Sequence, residues 1–162
     1  MGAMEEFSGF EVLRAAMEVE KNGHRFYSTM AVKAQSPLVQ EIFTWLAQDE
    51  IGHLRALEAL AERYQSEDCW QDEDAMLPYL RRFSEQAIFP SAERLAEVLG
   101  GPDPELRTLD LAIEAEERFA EFFQAAAAQA RDQEGRRAFL WLAEEEERHA
   151  RELLERRAKL AL

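Results

Sequence analysis

The chain contains the segment Phe43-Thr44-Trp45-Leu46-Ala47-Gln48-Asp49-Glu50-Ile51-Gly52-His53. Ninety-six positions later it carries Phe139-Leu140-Trp141-Leu142-Ala143-Glu144-Glu145-Glu146-Glu147-Arg148-His149, a second version of the same pattern. The match extends upstream, where Glu20 falls on Glu116 and Phe26 on Phe122, and one position in three is identical between residues 16–57 and 112–153. An internal repeat of this length makes each half one structural unit, and the apolar spacing within it is helical. Each unit is therefore a helical hairpin, and the two hairpins are expected to pack about a pseudo-twofold axis.

Helix punctuation divides the rest of the chain. Ser8 with Glu11 reads as a capping box, with Phe7 and Val12 placed for a hydrophobic staple. Ser36-Pro37 and Asp103-Pro104 each read as an N-cap followed by proline in the first turn, and Asp132 reads as a further cap. These signals predict four long helices, ending near Ala34, Gln65, Ala130 and Lys159. The expected organisation is one domain: a hairpin over 8–66, a crossover over 67–102 and a hairpin over 103–160. Pro78, Pro90 and Gly100-Gly101 break up the crossover, with room for a short helix after Ser91. A connection of that length lets the third helix run parallel to the second.

Composition agrees with an all-α chain. It is rich in Ala, Leu, Glu and Arg, sparse in Gly and Pro, and 47% hydrophobic. A formal charge of −14 excludes a nucleic-acid partner on electrostatic grounds, and no apolar run is long enough for a membrane. A single cysteine, Cys69, rules out an internal disulfide and a Cys-x-x-Cys knuckle. No basic-then-apolar leader begins the sequence, and Glu6 spoils the myristoylation reading of Met1-Gly2, so a cytoplasmic protein is expected.

The chemistry resides in the repeat. Glu50 and His53, like Glu146 and His149, are three residues apart and so share one helix face. Glu20 and Glu116 lie on the first helix of each hairpin, at equivalent positions. Four inward carboxylates and two imidazoles form the ligand set of a two-metal bundle site. Two divalent ions bring four positive charges against four negative ones, and oxygen-rich ligation with imidazole favours iron or manganese, with zinc also admissible. Around this set, Tyr27 lies two turns after Glu20, where its hydroxyl could bond a ligand, although its repeat mate is Phe123. Asp49 and Glu145 could orient the histidine of the opposite hairpin. His24 is placed at the edge of the site, and Trp45 and Trp141 read as core packing rather than electron relays.

The stretches 16–21, 26–27 and 43–53, with 112–116 and 139–149, resemble the two halves of a rubrerythrin-type di-iron domain. Ala87-Ile88-Phe89-Pro90 in the crossover is similar too. The resemblance implies a ferritin-like four-helix bundle in which Glu20, Glu50, His53, Glu116, Glu146 and His149 hold two iron ions. It implies a non-haem peroxidase reducing hydrogen peroxide or oxygen, re-reduced by a separate rubredoxin-type donor because this chain has no rubredoxin cysteines. Where that family has an additional glutamate one turn after the third-helix ligand, this chain has Phe119, so its set is similar to the six-ligand site of bacterioferritin. Two further readings follow from the same residues: a ferroxidase-like, iron-handling protein, or a bundle that uses its metal structurally. The family and the apolar residues Phe10 and Phe83, expected on the surface, suggest a homodimer.

Overall fold

The computed structural model describes residues 10–65, 68–85 and 88–162. Among these residues the chain is all-α, with six helices: α1 (Phe10–Lys33), α2 (Pro37–Arg63), α3 (Leu77–Glu85), α4 (Ala92–Leu99), α5 (Pro104–Gln129) and α6 (Gln133–Leu160). One turn of 3-10 helix, Glu73–Met76, precedes α3. Four helices of 24 to 28 residues, each about 40 Å long at 1.5 Å per residue, form the bundle.

Why these four bury the faces they do follows from their spacing. On α1 the buried positions are Val12, Leu13, Ala16, Val19, Glu20, Gly23, Phe26, Tyr27 and Met30, steps of three and four that keep to one stripe. The same stripe on α2 runs through Ile42, Phe43, Leu46, Glu50, His53 and Leu57, and on α6 through Phe139, Leu142, Glu146, His149 and Leu153. Ionisable residues thus occupy core positions in otherwise apolar rows.

Ion pairs and caps report the topology. Arg156, near the end of α6, reaches Glu41 (3.1 Å) near the start of α2, whereas Arg63 at the end of α2 reaches Asp132 (2.8 Å) ahead of α6. These two helices are antiparallel. The Glu105 carboxylate at the start of α5 accepts from the backbone N–H of Gln35 (2.6 Å) and Ser36 (2.9 Å), so α5 starts beside α2 and runs parallel to it. This is the single-crossover, ferritin-like arrangement. The crossover is anchored where Gln71 N–H donates to Gln129 O (2.7 Å), Arg131 N–H donates to Cys69 O (2.9 Å), and Trp70 stacks on Phe139.

Several expectations change. The capping box of Ser8 and the staple of Phe7 lie outside the described residues, as does Ala87 of the crossover segment. Ser36 and Asp103 stand at the N-cap positions but form no side-chain cap bond; Glu105 supplies the acceptor for Ser36 instead. The crossover holds two helices, because Pro78 sits in the first turn of α3, where a missing N–H costs nothing. Phe10 and Phe83 are half-buried rather than exposed. Both pack on the core, Phe83 against Phe119 and Phe122 at ring distances of 6.1 and 4.8 Å.

Asp132 caps α6 as expected, accepting from Gly135 N–H (2.8 Å), and also holds the Tyr64 hydroxyl (2.5 Å) and Arg63. Those donors, led by Tyr64, pull its carboxyl from 3.8 to about 2. A folded value below the ordinary one means that the cap's contribution is complete above 3.8 and fades as pH falls towards 2. Asp132→Ala is expected to cost about 1 kcal/mol in urea unfolding at neutral pH and to lose that segment of the acid dependence.

Candidate metal centre

At mid-bundle the stripes of α1, α2, α5 and α6 bring Glu20, Glu50, His53, Glu116, Glu146 and His149 together, each no more than 1% exposed. The two imidazoles face each other, ring centres 5.0 Å apart and planes 16° from parallel. Both Nδ1 atoms turn inward. His53 Nδ1 lies 2.9 Å from Glu146, 3.7 Å from Glu20 and 3.8 Å from Glu50. His149 Nδ1 lies 3.4 Å from Glu146, 3.5 Å from Glu116 and 3.6 Å from Glu50. Ligand atoms of Glu50, His53, Glu146 and His149 fall within 4.8 Å of one another.

The outer nitrogens meet a second pair of carboxylates. His149 Nε2 is 2.9 Å from Asp49, and His53 Nε2 is 3.5 Å from Glu145. A carboxylate accepts, so Asp49 holds a proton on Nε2 of His149 and turns its Nδ1 towards the cluster. Asp49 thus bonds the histidine of the opposite hairpin, whereas Glu145 stands across from His53 without a hydrogen bond, and His53 Nε2 has no partner among the described residues. Arg148 joins the two, donating to Asp49 (3.1 Å) and Glu145 (2.6 Å) while lying 5.1 Å over the Trp45 ring. The Tyr27 hydroxyl donates to Glu116 Oε1 at 2.5 Å, so its polar role accompanies its packing role. His24 stays outside the cluster, its Nδ1–H donating to Ala47 O (2.8 Å).

Trp45 is half-buried and packs against the core as expected, whereas Trp141 does not fill it. Each ring stands edge-to-face with an imidazole, Trp45 with His149 (5.2 Å) and Trp141 with His53 (5.6 Å). Trp141 is 44% exposed. Arg148 shields the Trp45 flank; its repeat mate is Gly52, where an added Cβ would meet nothing within 4 Å, so the Trp141 flank stays open. The repeat mates Gly52 and Arg148 are visible in the sequence, but their consequence needs the across-bundle geometry. Phe89, named in the sequence only as part of the crossover segment, lies so close over Gly23 that an added Cβ would come 2.7 Å from its ring. Gly23 is the mate of Phe119, which is itself buried in an aromatic cluster with Phe83, Phe122 and Phe123.

Do these residues fit a metal? Both oxygens of Glu20 and of Glu50, Oε2 of Glu116 and of Glu146, and Nδ1 of His149 are buried without a hydrogen-bond partner among the described residues. Buried polar atoms are almost always satisfied, so an orphaned set converging on one point is the signature of a cation site. Protonation shows the same frustration. Burial, reinforced by Glu146, pushes Glu50 well up and Glu116 to about 8. For His149, burial opposes the charged form, but Glu116 and Asp49 overcome it and drive its value up. For Glu146, burial is outweighed by its Glu116, His53 and His149 contacts, and its value falls.

Two comparisons place the chain among known proteins. The rubrerythrin family profile matches residues 11–157, and the chain belongs to that family. A hypothetical protein from Pyrococcus furiosus has the same fold at a TM-score of 0.68 and 22% identity, the match covering 98% of this chain and 93% of that one. No curated protein matches. No helix among the described residues is long and apolar enough to cross a membrane.

The charges set a pH prediction for the metal-free protein. Groups whose folded values are raised contribute stability at low pH and lose it as pH rises through those values. Glu50, Glu116 and His149 all have that sign, and the opposite contribution of Glu146 is complete above its ordinary 4.5. The Tm of the metal-free protein is therefore expected to fall from pH 5 to pH 8, and bound divalent metal should remove most of that slope; calorimetry across the range checks both.

Proposed function

We propose that this protein is a non-haem di-iron oxidoreductase that reduces hydrogen peroxide or oxygen, with Glu20, Glu50, His53, Glu116, Glu146 and His149 as the metal ligands. The observation that carries this reading is the convergence of buried, unpartnered carboxylate oxygens on two inward Nδ1 atoms. Family membership supports it. Two ferrous ions would supply the two electrons that cleavage of an O–O bond requires.

The protein's own groups do the rest. Glu50–His53 and Glu146–His149 each present one carboxylate and one imidazole from a single helix turn, which holds the two donors in fixed register. Asp49 keeps the His149 ring oriented, and Glu145 stands behind His53. Tyr27 gives Glu116 Oε1 a donor, leaving Oε2 free to ligate. The aromatic rings of Phe26, Tyr27, Phe43 and Phe89 pack together beside the cluster and exclude bulk water on that side. Electrons would arrive from a separate, rubredoxin-type donor in the cytoplasm.

Phe119 favours keeping the iron-handling reading as the second candidate, because a buried phenylalanine cannot serve as an additional carboxylate ligand. Anaerobic reconstitution with ferrous iron followed by stopped-flow mixing with peroxide separates the two. We expect two iron atoms per chain, rapid oxidation, and repeated turnover when reductant is supplied. A single oxidation followed by iron release or mineral growth would favour iron handling. Glu50→Ala and Glu146→Ala should each lower the iron count, and full occupancy in both would refute the ligand assignment.

A further inference from the structure

The two hairpins carry matching surface grooves that differ in charge and in whether a residue of the cluster lines them. The first, about 450 Å³, lies between α1 and α2 and is lined by Lys21, His24, Arg25, Ser28 and, from the cluster, Glu50. The second, about 350 Å³, lies between α5 and α6, where Glu117, Ala120, Glu121 and Gln124 take the equivalent places. Each pair is 96 positions apart, so Lys21 and Arg25 are replaced by two glutamates; with Glu147 they leave the second rim net negative despite Arg151 in its lining and Arg82 3.9 Å from Glu121. In the second groove the Gln124 amide donates to Glu147 across the cleft, and Glu146, the mate of Glu50, is not among the described residues lining it.

Glu50 makes the first groove more than a surface depression. It is 1% exposed and both its oxygens lack a hydrogen-bond partner, yet it forms part of the groove wall. The groove therefore ends against a residue of the cluster, whose carboxylate oxygens lie just behind its wall, closed to solvent. At its mouth Lys21 is offset by Glu18 at 3.1 Å, which leaves the exposed Arg25 as the main positive charge. A positive rim on a chain of net charge −14 raises the local concentration of anions and repels hydrated divalent cations.

We propose that small neutral and anionic reactants reach the buried cluster through the α1/α2 groove, passing Arg25 and Ser28 to arrive at Glu50, and that the α5/α6 groove is not a route. This rests on the metal reading of the cluster and adds to it a direction of entry and a charge preference.

Azide entry into the cobalt-loaded protein tests it without any redox turnover. Cobalt binding and the azide on-rate are both read from visible absorbance, the latter by stopped flow. Ser28→Cys lets the groove be plugged after folding with a bulky thiol reagent. The native Cys69 is 2% exposed and burial pushes its thiol up to about 12, so the introduced thiol reacts selectively. The plug is expected to slow azide entry at least tenfold with equilibrium affinity unchanged, since a blocked path alters neither end state. Ser28→Trp, which needs no chemical labelling, should do the same. The matching plug on Gln124→Cys should leave the rate alone. Arg25→Glu should slow entry several-fold at low salt, and that effect should vanish in about 0.5 M salt. Unimpeded entry in both Ser28 variants, or equal slowing from the Gln124 plug, overturns the assigned route. Failure to bind cobalt overturns the metal reading itself and this inference with it.

Discussion

Four carboxylates in the centre of an apolar bundle need matching positive charge, and the rest of this structure is arranged around that requirement. Removing an ionised carboxylate from water costs several kcal/mol even after the surroundings relax. Two imidazoles cannot neutralise four such groups. Without cations, burial and mutual repulsion push Glu50 and Glu116 up, and the carboxylates push His149 up, yet several oxygens are left without donors among the described residues. Two divalent cations would remove the deficit at once, which is why the cluster is understood best as half of a complex.

The bundle around that centre is built to hold side chains still. Long helices with apolar stripes place the six groups, and a further layer fixes their rings: Asp49 behind His149, Arg148 across Asp49 and Glu145, and Tyr27 under Glu116. Duplication gives the frame its symmetry, and function enters where the symmetry fails. Arg148 covers one imidazole flank and its mate Gly52 leaves the other open. On α1, Gly23 admits the Phe89 ring, while the corresponding Phe119 supplies its own ring. Lys21 and Arg25 face one groove where Glu117 and Glu121 face the other. A site with near-twofold ligands can thereby have an inside, an entrance and a covered side.

Much of this was legible in the sequence because it depends on local spacing. The caps at Ser36, Asp103 and Asp132 marked helix starts to the residue, and the spacing of Glu50–His53 and Glu146–His149 marked the faces that converge in the buried cluster. The assignment of Trp141 to the core failed, and Trp45 reaches the core only in part, for a geometric reason. Five residues before a ligand is about 140° round the helix from it, at the edge of the buried stripe rather than inside it. Helix α3 was concealed by Pro78, which looks like a break but is compatible with a first turn. The apolar pair Phe10 and Phe83 could not be placed without knowing that the crossover folds back on the bundle, where Phe83 meets Phe119 and Phe122.

The central claim is a position: two cations enclosed between the facing imidazoles of His53 and His149. Anomalous diffraction at the iron edge, from crystals of the reconstituted protein, locates them directly. The account predicts two peaks per chain, each beside one Nδ1 atom and flanked by carboxylates of α1, α2, α5 and α6. A single peak, no peak, or density only at the outer acids Asp49 and Glu145 would contradict it.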